Sequence, residues 1–272
     1  MSAEPFTRRN QPLQPHLPEN AAIKLIGLGG VGSIVARYLA TFLASLGSNA
    51  RIVLIDGDSY EFSNANRMIF ANCGNKATVL RDELIARLAD SPLAFQAIEE
   101  YVTSENINRL IHDGDIILLT VDNHATRKLV NDHCARLDQC CLVSGGNDGV
   151  GQDASGRVRR GTYGNVQIYL REGGVDLTPT LTRHHPEIAN PGDKLPTDQS
   201  CMELIASAPQ ILFANLTVAA CMLNTFWLHL CGGLTYAELS FDIAEGLMRP
   251  ITFSRAAASK ASTSVGTSSG FS

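Results

Sequence analysis

The chain alternates between short apolar runs and segments whose apolar residues recur every three or four positions. Ile23–Leu28 is mostly apolar, the pattern of a strand covered on both faces. Val31–Leu46 then sets Ile34, Val35, Tyr38, Leu39, Phe42, Leu43 and Leu46 at helical spacing, and Gly47 stops the helix. Arg51–Asp56 reads as a second strand and Lys76–Ala89 as a helix, with Ala77, Leu80, Leu84, Ile85 and Leu88 on one side. Ala94–Tyr101 reads as a strand and Glu105–His112 as a short helix. Asp115–Val121 is a nearly continuous apolar strand, Ala125–Leu137 a helix and Cys140–Ser144 a strand. This alternation predicts an α/β fold with a doubly wound, mostly parallel, Rossmann-like sheet.

Beyond Gly145 the pattern changes. Arg157–Thr162 and Gln167–Leu170 read as short antiparallel strands on the C-terminal side. Residues 173–200 form a long Gly/Pro/Thr-rich crossover loop, and loops of that length in compact domains are often functional. A last helix, about Ala208–Leu230, closes the core. The run Ile211–Cys231 is broken by Asn215, Thr217, Asn224, Thr225 and His229, so it reads as a buried helix and not a membrane span. The expected organisation is an extended N-terminal arm at 1–20, one domain at 21–254, and a small, polar tail at 255–272. The tail holds too little apolar surface to offset its ordering entropy.

Composition narrows the class. Of 272 residues, 44% are hydrophobic and 18% charged, as in ordinary globular proteins. A net charge of −5 argues against a nucleic-acid partner, which normally meets a basic face. Residues 1–20 contain no apolar core segment, so no secretory signal is expected. Seven cysteines, an odd number without such a signal, suggest reduced thiols and a cytoplasmic location. No Cys-x-x-Cys pair occurs, so no zinc site is expected.

Candidate chemistry begins at Gly27-x-Gly29-x-x-Gly32, between a strand and a helix. The first glycine suits a tight turn, the second a close approach of phosphate, and the third close packing of helix on sheet. Asp56, ending the second strand, suits a ribose hydroxyl. To this point a dehydrogenase using NAD and an enzyme consuming ATP look alike. Residues 56–67, "DGDSYEFSNANR", separate them, because Asp58, Glu61, Asn64 and Arg67 gather beyond the sheet's carboxyl edge. Arg67, and Lys76 nine residues on, are the cations that triphosphate chemistry requires. Asp122, at the carboxyl end of Asp115–Val121, suits a Mg²⁺ carried on substrate phosphates. Asp122 or Asn123 equally suits the cap of the following helix.

Together these pieces resemble the ThiF/MoeB/ubiquitin-activating superfamily of ATP-dependent adenylating enzymes. "GLGGVGS", "DGDSYEFSNANR" and "DNHATR" carry the resemblance, which covers about 23–144 well and 201–224 moderately. Two departures are Met68, where the family usually has Gln, and a lysine turn one residue shorter than usual. The resemblance implies that Gly27, Gly29, Gly30, Gly32, Asp56 and Asp58 hold the nucleotide. It implies phosphate binding by Asn64, Arg67 and Lys76, and Mg²⁺ on Asp122. It further implies a homodimer, an arm arginine (Arg8 or Arg9) reaching the nucleotide, and Cys201 as a candidate acyl acceptor. A thiolate at a helix start would be a competent nucleophile, and a small core residue is the alternative. The implied activity is adenylation of the C-terminal carboxylate of a ubiquitin-like protein, sulfur carrier or peptide. An NAD-dependent oxidoreductase and a non-catalytic subunit of a heterodimer are the rivals. Cys140, Cys141, Cys221 and Cys231 read as core, and His184 and His185 as solvated, with use by a loop closing over ATP as the alternative.

Overall fold

A computed structural model describes residues 12–65, 68–152, 156, 158–198 and 210–252. Arg8, Arg9, Arg67, Cys201 and the tail 255–272 lie outside the described residues. The chain opens with β1 (Ala22–Ile26), α1 (Gly32–Ser45) and β2 (Arg51–Ile55). A two-stranded ribbon follows, β3 (Ser59–Tyr60) with β4 (Gly74–Asn75), leading into α2 (Lys76–Arg87) and β5 (Ala94–Ile98). Then come α3 (Ile107–Leu110), β6 (Ile116–Leu119), α4 (His124–Cys134) and β7 (Cys140–Asn147). A second ribbon pairs β8 (Val150–Gln152) with β9 (Val158–Arg160). The chain continues through β10 (Tyr163–Glu172), β11 (Val175–Asp176), α5 (Pro186–Ala189), α6 (Leu212–Leu230), β12 (Tyr236–Asp242) and β13 (Leu247–Thr252).

The main sheet has nine strands, in the order β13-β12-β10-β7-β6-β1-β2-β5 with β11 beside β10. From β5 to β7 every pairing is parallel, and from β7 outward every pairing is antiparallel. The expected doubly wound sheet is therefore observed. Its winding reverses between β1 and β6, the switch point where ligands enter such sheets.

Side chains alternate between two cores, one on each face. Ile23, Leu25, Ile52, Leu54, Ile116 and Leu118 meet α1, α2 and α6 on one side. Ile26, Val53, Ile55, Ile117 and Leu119 meet α3, α4 and the buried Leu181 and Ile188 on the other. Lys24 falls on the strand in mid-run and is buried against Asp115 at 3.7 Å. Burial, partly offset by Asp115, pulls its ammonium pKa down.

Several expected boundaries move. β1 ends at Ile26, because Gly27 already takes φ +86° and turns the chain. Val158–Arg160 belongs to a separate ribbon and not to the main sheet. The short strand expected at Gln167–Leu170 is ten residues long and runs between β7 and β12. Two strands, β12 and β13, follow the helix that was expected to end the core. β13 has every residue exposed, so no run of buried apolar positions announced it.

Helix α6 is long and apolar enough to cross a membrane by length and hydropathy alone. Here it packs on α1, β7 and β10, and two of its buried polar side chains find partners within the protein. Asn215 accepts from Asn147 at 3.1 Å and Thr225 pairs with the Tyr236 hydroxyl at 2.9 Å. The described part of the arm docks at the far end of this helix, where His16 N–H donates to Leu230 O at 3.0 Å.

Candidate active site

A cleft of about 730 Å³ opens at the carboxyl edge of β1, β2, β6 and β7. Its floor is the turn from β1 into α1. Gly27, Gly29 and Gly30 line it, whereas Gly32 is buried behind them. No side chain caps α1; Ser33 and Ile34 N–H bond back to the Gly29 and Val31 carbonyls, so the N–H groups of the glycine turn itself are the ones that suit a phosphate.

Asp56 is buried and lines the cleft. One carboxylate oxygen accepts the Leu28 N–H of the glycine turn, and the other accepts Asp58 N–H at 2.8 Å. Burial is the largest influence on this carboxyl group and pushes its pKa up. Asp56 thus ties the turn after β1 to the end of β2 before any ligand arrives.

Lys76 is the first residue of α2. Asn75 caps that helix by accepting from Ala77 N–H at 2.8 Å and Thr78 N–H at 3.3 Å. The Asn75 amide also donates to Asp56 O at 3.0 Å. The short lysine turn therefore still delivers Lys76 to the cleft, where the side chain is buried. Its Nζ lies 2.8 Å from Asp58 Oδ2, and the Tyr101 hydroxyl donates to Asp58 Oδ1. Burial and then Asp58 push the Tyr101 hydroxyl pKa well up, so it stays a donor.

Asn64 departs from expectation. It sits in a 3₁₀ turn, Phe62–Asn64, where its side chain accepts Glu61 N–H at 3.3 Å. It is absent from the residues lining the cleft. The capping role holds it there, since the Glu61 and Asn64 side chains exchange bonds with each other's backbone.

At the end of β6 the competition between Asp122 and Asn123 is settled by geometry. Asn123 caps α4, accepting Thr126 N–H at 2.7 Å. Asp122 is exposed and lines the cleft. Among the described residues no cluster of three or more His, Cys, Asp or Glu could hold a metal alone.

Three groups in this region make contacts that the sequence did not announce. Arg127 is buried and donates to Ser144 Oγ at 2.6 Å, Val121 O at 2.7 Å and Gly145 O at 2.9 Å. Burial pulls its pKa to about 10. It closed the "DNHATR" motif, so its position was visible although its clamping role was not. Asp193, in the long loop, accepts His124 N–H and Ala125 N–H at 2.8 Å each. His185 bridges Glu187 at 2.7 Å and Glu238 at 2.9 Å. His184 is exposed as expected, but His185 is mostly buried against these carboxylates and not solvated. Glu238 comes from β12, more than fifty positions away, so no local pattern announced the pair.

The bond to Glu238, more than any other influence, raises the His185 pKa above its ordinary 6.5. The Glu238 pKa is lowered below 4.5: burial alone would raise it, and the His185 bond with its neighbours outweighs that. The histidine contribution to stability is therefore full below pH 6.5 and lost as pH rises through the raised folded value. His185→Gln should remove about 1–3 kcal/mol at pH 6, and the loss should shrink toward pH 9. Thermal melts of both proteins across that range measure it, and a pH-independent difference would refute the ion pair.

The family model named "ThiF family" matches residues 12–239. The chain belongs to the ThiF family. Adenylyltransferase and sulfurtransferase MOCS3 of Drosophila ananassae is 33% identical over 155 residues, covering 56% of this chain and 32% of that protein. Protein HesA of Nostoc sp. is 28% identical over 120 residues, covering 43% of this chain and 46% of that protein. The chain thus spans less than half the length of these curated relatives. Escherichia coli MccB, solved with ATP, superposes with a TM-score of 0.61 at 18% identity, covering 86% of this chain and 64% of that one. The PaaA structure gives a TM-score of 0.60 at 16% identity, covering 85% and 72%. These superpositions show a shared ThiF-type fold.

Proposed function

We propose that this chain is an adenylyltransferase that activates the C-terminal carboxylate of a ubiquitin-like protein, sulfur carrier or peptide. The observation that carries the reading is Lys76. A buried ammonium, held by Asp58 in a cleft floored by the glycine turn, supplies the positive charge that a triphosphate needs. Named relatives support the class, since MOCS3 is an adenylyltransferase and sulfurtransferase and MccB has been solved with ATP.

In this reading the adenosine ribose meets Asp56, and the phosphates lie over Gly27, Gly29 and Gly30 at the start of α1. One carboxylate oxygen of the substrate attacks the α-phosphorus. The bond to the bridging oxygen breaks, and pyrophosphate leaves as an acyl-adenylate forms. Lys76 and Arg67 meet the charge that develops on the leaving group. Mg²⁺ would supply further charge neutralisation, and Asp122 is the carboxylate that suits it, because Mg²⁺ takes one or two carboxylates plus phosphate oxygens. Cys201 is the candidate acceptor should a thioester follow. We further propose a cytoplasmic setting, supported by the odd cysteine count and by the six described cysteines forming no disulfide with one another, and a homodimer, supported by the family resemblance.

ATP–pyrophosphate exchange tests the reading, with a carrier ending in Gly-Gly and a short peptide with a free carboxylate as substrates. Exchange dependent on either substrate supports it. Stabilisation by NAD and not by Mg·ATP would overturn it. Asp122→Asn should lower exchange by about a hundredfold and leave the melting temperature unchanged, because the side chain is exposed. Undiminished exchange in that variant would remove Asp122 from the mechanism.

A further inference from the structure

The long loop after β11 is not loose. Thr178 Oγ1 donates to Ile168 O at 2.7 Å and accepts Leu170 N–H at 2.8 Å. Leu181 is fully buried; its N–H donates to Asn131 Oδ1 at 2.8 Å, and its carbonyl accepts from Gln167 at 3.2 Å. His185 is held by Glu238, and Ile188 is buried in the core under α4. The strap therefore runs back along α4, from Asn131 in its second half to the first turn at His124. It is stitched again at Asp193, whose two oxygens take the N–H groups of His124 and Ala125.

Those N–H groups follow directly on Asp122 and the capping Asn123. The corner between β6 and α4 is thus held from two directions, by its own Asn123 and by Asp193 from sixty-nine positions away in sequence. A carboxylate at a helix start also offsets the partial positive charge there. That end of α4 is spoken for, whereas α1 across the cleft carries no side-chain cap. The two helix starts facing the cleft consequently differ: one is open to phosphate and the other is fixed as a platform for Asp122.

We propose that Asp193 is a positioning residue for adenylation. It locks the strap onto α4 and holds the Asp122 corner in its working geometry. The inference rests on the adenylation reading for its kinetic consequence, but not for its structural one. Two charge-assisted bonds at 2.8 Å are among the stronger contacts in the cleft.

The test uses the full chain and the variants Asp193→Ala and Asp193→Asn. In ligand-free protein, amide hydrogen exchange at His124 and Ala125 should quicken at least about tenfold in Asp193→Ala, the worth of one bond to a charged group. In ATP–pyrophosphate exchange, kcat should fall about tenfold or more, while KM for ATP stays within about twofold because α1 and Lys76 still hold the nucleotide. Asp193→Asn keeps one acceptor oxygen and should recover part of both losses. Unchanged amide exchange overturns the latch. Quickened amide exchange with kcat unchanged or raised overturns the positioning role. Failure of the parent to exchange pyrophosphate with any carboxylate substrate overturns the adenylation reading and the kinetic role with it, and the amide data still decide the latch.

Discussion

Gly32→Ala is expected to cost about 3 kcal/mol or more, the upper end of overpacking penalties. A Cβ there would lie 1.9 Å from the Gly27 carbonyl oxygen, 2.9 Å from its carbon and 2.5 Å from Thr120 Oγ1. The obstacles cannot move cheaply. The Gly27 carbonyl accepts the Thr120 hydroxyl, and Gly27 N–H donates to Ile55 O at 3.0 Å. Relief would pull apart the junction of β1, β2 and β6, which is also the floor of the cleft. For a chain of this size the cost corresponds to a fall of about 6–12 °C in melting temperature. Gly29→Ala is the control, because its Cβ would meet only Met68 Cε at 3.9 Å. That variant should melt within about 2 °C of the parent, a surface-like effect, yet bind ATP more weakly because the new methyl enters the cleft. Equal melting temperatures for Gly32→Ala and the parent would show that the helix is not tied to the strand in this way.

This contrast explains which parts of the site were legible in the sequence. Gly27, Gly32 and Asp56 are legible because each is forced by a local conformation or by a contact at a strand end. The parallel half of the sheet is legible because a strand buried on both faces must be apolar throughout, as Ile116–Leu119 is. The antiparallel half was only partly read. β13 is exposed along its length, so neither periodicity nor burial left a pattern there, and β9 was read as a strand without its place in a separate ribbon with β8. Asn64 lies outside the cleft lining for a different reason. An Asn beside cationic residues resembles a phosphate ligand, but the same side chain closes a 3₁₀ turn, and only geometry separates these uses. Asp193 and the His185–Glu238 pair were illegible because their partners are 69 and 53 positions away. Spacing along a chain reports contacts within one element, not between a strap and the helix beneath it.

Lys76→Met should lower ATP–pyrophosphate exchange by about a hundredfold or more, the usual loss when one preorganised charge is removed from a transition state. The ammonium is only 8% exposed and lies 2.8 Å from Asp58. A buried cation needs a partner, and Asp58 is the carboxylate that pairs with it. On the proposed reading, triphosphate oxygens would compete with Asp58 for the same three protons. The Tyr101 hydroxyl also donates to Asp58, so the carboxylate has a second partner. Stability should change little in Lys76→Met, by about 1 kcal/mol, because Asp58 is 46% exposed and can turn to water. Asp58→Asn separates holding the charge from using it. It leaves the lysine in place with a weaker partner, so exchange should fall much less than in Lys76→Met, while the melting temperature falls further. Should Lys76→Met retain exchange within about threefold of the parent, the lysine serves only the fold, and Arg67 would be left as the cation that answers to the leaving pyrophosphate.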